Sequence, residues 1–109
     1  MPQQVPTVSA VEVPEDAVLA DVEEDGEWVA GHAEGATHIP MGDVPAQLDE
    51  VPDGDPVYVV CRSGGRSARV AAWLNRNGYD AVNVGDGMGG WQAAGRPLVS
   101  ETGQPPFVL

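Results

Sequence analysis

Apolar residues along the chain come in short runs separated by turn-forming clusters. Val57-Tyr58-Val59-Val60 is apolar throughout and mostly β-branched, as in a strand covered on both faces. Ala17-Val18-Leu19-Ala20-Asp21-Val22 and Ala81-Val82-Asn83-Val84 read as further buried strands. Val5 to Ala10 alternates weakly and predicts a first edge strand, and Thr37-His38-Ile39 predicts a brief strand stopped by Pro40. Helical spacing is clearest after the central strand. Val70, Ala71 and Leu74 fall at i, i+1 and i+4, and the stretch Ser67 to Gly78 reads as a helix with Gly78 as its stop. Three shorter helices are predicted: Glu23 to Ala30, with acids at its positive end, Val44 to Leu48, and Met88 to Ala94, ended by Gly95 and Pro97. Pro14 and the cluster Pro52-Asp53-Gly54-Asp55-Pro56 mark turns. The proline-rich tail from Glu101 to Leu109 is expected to be loosely ordered. Strands alternating with helices predict an α/β fold with a mainly parallel sheet, whose ligands sit beyond the C-terminal ends of the strands.

Length and composition narrow this picture. A chain of 109 residues, 42% of them hydrophobic, makes one domain, residues 1–109, able to bury a core without staples. Its single cysteine cannot close an internal disulfide, which points to a reducing compartment. The first residues carry no basic segment or apolar run of signal-peptide length, and no stretch is long enough to span a membrane. A cytoplasmic protein is therefore expected, with a monomer as the default. Net charge is -12, without lysine, so no basic patch for nucleic acid is visible. Three of the five arginines, Arg62, Arg66 and Arg69, nevertheless lie close behind the cysteine. Salt screens the overall negative field over about 8 Å, so a local anion site is possible on an acidic chain.

That cluster changes the reading of the central strand. Val57 to Val60 runs into Cys61-Arg62-Ser63-Gly64-Gly65-Arg66-Ser67 and then into the helix. A strand, a tight loop and a helix aim backbone N–H groups at one point, here the Cys61 sulfur. A thiol at a helix N-terminus beside arginine has its thiolate stabilised, and the thiolate is the nucleophile. Gly64 and Gly65 give the loop conformational freedom. Arg62 and Arg66 offer planar forks for sulfate-like or phosphate-like oxygens. Ser63 and Ser67 can donate to a thiolate or persulfide.

At these residues the chain resembles the single-domain rhodaneses, the thiosulfate sulfurtransferase family. Cys61 to Ser67 is similar to that family's active loop. Asp21-Val22 followed by Glu27-Trp28-Val29-Ala30-Gly31-His32-Ala33-Glu34-Gly35-Ala36-Thr37-His38-Ile39-Pro40 is similar to its upstream motif, and Gly87-Met88-Gly89-Gly90-Trp91 to Leu98 to its C-terminal motif. The three occur in family order over roughly residues 5 to 100. The resemblance implies a small parallel sheet flanked by helices on both faces, and a Cys61 persulfide that moves a sulfane sulfur from thiosulfate or a similar anionic donor to a thiol or protein acceptor. Arg62, Ser63, Gly64, Gly65, Arg66 and Ser67 would form the anion site. This route uses no metal or organic cofactor and predicts ping-pong kinetics. Two positions depart from the pattern. Asp21-Val22 is commonly followed by arginine, and here by Glu23, which removes an internal ion pair while leaving the cysteine chemistry untouched. Asp86 replaces the first glycine of the usual pair before Met88.

Other readings compete at single residues. Cys61 could be a small buried hydrophobe, Ser67 only a helix-start residue, and Arg69 a solvated charge. His32 and His38, six positions apart with no cysteine nearby, make a poor metal site, and His32 is read as structural. Asp21 is either a buried orienting carboxylate or an acid at a helix start. Trp28, Trp73 and Trp91 read as core or pocket wall. A cysteine phosphatase or arsenate reductase would place five residues between cysteine and arginine, whereas four separate Cys61 from Arg66, which favours sulfur over phosphate. A non-catalytic or sulfur-carrying module with a protein partner is the remaining alternative.

Overall fold

The computed structural model describes residues 5–109. Five strands form one sheet: β1 (Thr7–Val8), β2 (Val18–Asp21), β3 (Thr37–His38), β4 (Val57–Val60) and β5 (Ala81–Val84). All neighbours are parallel, in the order β1-β5-β4-β2-β3. The fully apolar run thus occupies the centre, and Val57, Val59 and Val60 are wholly buried. Among the described residues there are three α-helices: α1 (Asp25–Ala30) and α2 (Gly65–Arg76) link strands, and α3 (Gly87–Ala93) follows β5.

Strand side chains alternate between two cores, one on each face of the sheet. On one face Ala20, Val57, Val59 and Ala81 pack with Val70, Ala71 and Leu74 of α2. On the other, Leu19, Val60 and Val84 pack with Met88 and Trp91 of α3 and with Ala10. The helical spacing of Val70, Ala71 and Leu74 is therefore the buried stripe of α2, as expected of an amphipathic helix.

Several boundaries differ from the sequence reading. Val44 to Leu48 is not a helix. The stretch runs from one 3-10 turn, Met41–Asp43, into another, Leu48–Glu50, and Pro45, which has no N–H, leaves only isolated turn bonds such as Gln47 N–H to the Asp43 carbonyl at 3.0 Å. The predicted strand Val5 to Ala10 contracts to Thr7–Val8, since Ser9 opens a 3-10 turn at Ala10–Glu12 through bonds from its N–H and Oγ to Glu12 Oε1. Helix α1 starts at Asp25 rather than Glu23, with the Glu24 N–H held by Glu27 Oε1 at 2.8 Å. Helix α2 starts at Gly65, two positions before Ser67, behind a Gly64 in the left-handed conformation. The tail has no regular secondary structure but returns to the domain. Phe107 N–H donates to the Ala30 carbonyl at 3.1 Å and Val108 N–H to Gln92 Oε1 at 2.9 Å.

Candidate active site

The central strand delivers Cys61 to the C-terminal edge of the sheet, at the N-terminus of α2. Its side chain is 1% exposed. Three donors converge on Sγ: Gly64 N–H at 3.1 Å, Ser67 Oγ–H at 3.3 Å and Ser67 N–H at 3.4 Å. Burial pushes the thiol pKa up. The Ser67 hydroxyl and the N–H groups of Ser67, Ser63 and Gly64 outweigh it, and the thiol ends below its ordinary value. The sequence reading gave the arginines a share in this effect, but hydrogen bonds dominate it.

Local conformation explains the loop. Gly64 has φ +98, a region that favours glycine, and a Cβ there would lie 2.1 Å from the Gly85 carbonyl oxygen. Only glycine lets the loop pass β5 at this distance. Gly65 carries no such constraint, since its Cβ would meet open space. Ser67 is fully buried, and its hydroxyl also donates to Asn83 Oδ1 at 2.6 Å. One hydroxyl proton cannot serve both acceptors at once. With the Asn83 amide turned over, Nδ2 donates to Ser67 Oγ and the hydroxyl proton serves the sulfur. Sequence reasoning passed over Asn83. Its signal was a polar residue inside an apolar strand.

The remaining predicted residues are close together but differently used. Arg66 is locked in a bidentate ion pair with Glu27 of α1, Nη1 to Oε1 at 2.7 Å and Nη2 to Oε2 at 2.8 Å. This pair raises the Arg66 pKa and lowers that of Glu27. Glu27 therefore holds both the start of α1 and the active loop, a second role that its place in an acidic run did not reveal. Arg62 is half-buried, and its Nε donates to the backbone oxygen of Leu109 at 2.7 Å. Its Nη1 lies over Gly89, where a Cβ would approach within 2.4 Å. Ser63 is exposed and contributes its backbone N–H. Arg69 points away, lining a separate groove of about 480 Å³ with Met41, Val44 and Trp73.

Beside the loop stand two buried carboxyls. Asp21 closes β2 opposite Val60, and Glu23 follows two residues later. They are 0% and 1% exposed. Asp21 Oδ1 accepts the Glu23 N–H at 2.9 Å, while Asp21 Oδ2 and Glu23 Oε1 have no donor among the described residues. Burial, and for Glu23 next the charge of Asp21, pushes both acids up. The Asp21 carboxyl also feels the Cys61 charge. Glu23, which stands where the family commonly has arginine, is thus buried beside Asp21.

The other singled-out residues are structural. His32 is buried, with Nδ1 on the Trp28 carbonyl at 2.7 Å and Nε2 3.3 Å from Glu101. Trp28 is stacked between His32 and His38, at centroid distances of 3.4 Å and 4.7 Å. Trp91 is buried in the α3 core. Asp86 accepts the Ala10 N–H at 2.7 Å, tying the α3 start to the first turn. Among the described residues no group of histidine, cysteine and acidic side chains could hold a metal, and no helix is long and apolar enough to cross a membrane.

Fold and loop together define a class. A sequence profile of the rhodanese-like domain matches residues 10–94, and the chain belongs to that family. It is 41% identical over 88 residues to the putative sulfurtransferase YtwF of Bacillus subtilis, covering 80% of this chain and 84% of that one. It is 34% identical to the thiosulfate sulfurtransferase GlpE of Actinobacillus pleuropneumoniae serotype 3, over 77% of this chain and 79% of the relative. Among solved structures, a rhodanese-related protein from Thermoplasma volcanium superposes with a TM-score of 0.80 at 25% identity, covering 86% of this chain and 97% of that one. A rhodanese-like domain protein from Staphylococcus aureus gives 0.72 at 28% identity, over 94% and 99%.

Proposed function

We propose that this protein is a sulfurtransferase that carries a sulfane sulfur as a persulfide on Cys61. The observation that carries the reading is the set of donors converging on Sγ, together with relatives named as sulfurtransferases. In the first half-reaction the Cys61 thiolate attacks the outer sulfur of thiosulfate or a similar donor. A new S–S bond forms, the donor's own S–S bond breaks, and sulfite leaves with that electron pair. The loop N–H groups, already aimed at a sulfur anion, stabilise the charge left on the persulfide. In the second half-reaction an acceptor thiolate attacks the outer sulfur, and Cys61 returns as thiolate. Arg62 supplies positive charge at the mouth of the loop. Arg66 is held by Glu27 through both of its terminal nitrogens and fixes the loop against α1.

A sulfur-carrier role is the second reading. It is favoured by 35% identity to the putative sulfur carrier protein YrkF of Bacillus subtilis, although the match covers only 44% of that protein. Both readings place the sulfur on Cys61 and differ in the acceptor.

The test is the intact mass of the reduced protein after incubation with thiosulfate, with Cys61→Ala as control. A gain of one sulfur atom in the wild type alone supports the proposal. No gain with thiosulfate, mercaptopyruvate or a low-molecular-weight persulfide, with the thiol shown to be free, overturns it.

A further inference from the structure

The least expected feature beside Cys61 is a pair of buried acids with too few donors. Asp21 and Glu23 are shut off from solvent, and their side chains are close enough to hydrogen-bond to each other. One oxygen of each lacks any other partner. Two carboxylates cannot share such a site, because like charges at contact distance in a dry environment repel strongly. A single proton between them satisfies both oxygens.

We propose that Glu23 is a positioning residue for the Cys61 site: it stays protonated, donates its proton to Asp21, and so holds the carboxyl pair at one negative charge instead of two. The proposal builds on the sulfur-transfer reading for its consequence, but the protonation state rests on the burial of both acids and on the oxygens left without a donor. Asp21 is the nearer influence, because its carboxylate and the Cys61 thiolate feel each other. Glu23 acts on the thiol through Asp21.

The surroundings fix the sign. From α1, Glu27 faces both acids and adds negative charge. From the start of α2, Arg66 faces Glu23 and opposes that charge, but Glu27 already neutralises it. Arg62 acts on Glu27. From β3, His38 Nε2 meets the Glu23 backbone carbonyl at 2.7 Å, not its carboxyl. Among the described residues named as facing the pair, Arg66 is the one cation, and Glu27 pairs it. Losing the shared proton at alkaline pH therefore places an extra negative charge beside the thiolate, which repels an anionic donor and leaves a neutral reagent indifferent.

The experiment compares two alkylating reagents on the full chain, whose only cysteine is Cys61. Iodoacetate is anionic and iodoacetamide neutral, so the ratio of their rates is independent of the thiolate fraction and reads the local potential. In the wild type the ratio of iodoacetate to iodoacetamide rates should fall at alkaline pH by about threefold or more. In Glu23→Gln, which keeps the shape and the hydrogen-bond donor but cannot ionise, the ratio should stay flat. A flat ratio in the wild type, or the same fall in Glu23→Gln, overturns the proposal. Infrared spectroscopy of the wild type gives an arm that does not depend on the variant folding. A protonated-carboxyl carbonyl band present at neutral pH and lost at alkaline pH supports the shared proton, and its absence at neutral pH contradicts it. Neither readout needs sulfur transfer, so failure of the pair and failure of the catalytic reading remain distinguishable.

Discussion

Two polar clusters lie buried at the same edge of the sheet, and they are built in opposite ways. Around Cys61, a helix start and a left-handed Gly64 turn N–H groups and a hydroxyl inward, so the anion is stabilised. Around Asp21 and Glu23, one N–H among the described residues is supplied to two carboxyls, so a proton is retained. Burial alone disfavours charge in both places. Donor supply decides which group ionises. The contrast shows why a buried thiol can be the reactive group here while adjacent acids, intrinsically far stronger, are not.

The largest effect is expected from breaking the cradle. Gly64→Ala forces a left-handed backbone on a side-chain-bearing residue, about 1–2 kcal/mol in itself, and drives its Cβ against the Gly85 carbonyl. Stability in a denaturant titration should fall by more than the backbone term, and Cys61 reactivity should collapse with the loop. An unchanged midpoint would show that the loop has room to move.

The carboxyl pair should be visible in stability against pH. Both acids have raised folded pKa values, so the folded protein binds more protons than the unfolded chain from above the ordinary carboxylate range, about 4, upward. Stability should therefore decline as pH rises from there through the folded values, by up to about 1.4 kcal/mol per pH unit for each proton so held. Glu23→Gln should flatten that slope in thermal melts across the range. An equal slope in the variant would assign the proton elsewhere.

A smaller effect comes from thinning the donors. Ser67→Ala removes the hydroxyl from Sγ and leaves the Asn83 side-chain amide without its Ser67 partner. The thiol pKa should rise, with a stability loss of about 1–3 kcal/mol for the orphaned amide. Titration of alkylation rate against pH checks the first, and denaturation the second.

Glu27→Gln is expected to be milder, about 1 kcal/mol, because the Arg66 pair is partly solvated. The folded Glu27 pKa is depressed, so the pair's contribution is full above the ordinary glutamate value and fades as pH falls through the depressed one. The difference between wild type and variant should shrink in acid. Constancy down to low pH would mean that the ion pair contributes little.

Much of this architecture was legible from pattern. The runs ending at Asp21, Val60 and Val84 are strands because apolar β-branched residues fill both faces of a parallel sheet, and α2 was legible from the Val70–Ala71–Leu74 spacing. Cys61 and its loop were legible from residue type and order. Short turns were not. Pro45 breaks up the run Val44 to Leu48 that reads as a helix, and two Ser9–Glu12 bonds shorten the first strand. Within the site, what escaped sequence reasoning was pairing across the fold. Glu27 and Arg66 are 39 positions apart, and Ser67 and Asn83 are 16 apart, contacts that no local pattern encodes. The meaning of Glu23 was also hidden, because a lone acidic substitution reads as surface charge until it is found buried against Asp21.

The most direct test is the pKa of the single thiol, read from the pH dependence of its alkylation by iodoacetamide in the wild-type protein. The donor cradle predicts a value below the ordinary cysteine pKa of about 8.5, with Ser67→Ala shifted upward. A wild-type value at or above the ordinary one would mean that burial outweighs the donors, and the account of Cys61 as a ready thiolate would fail.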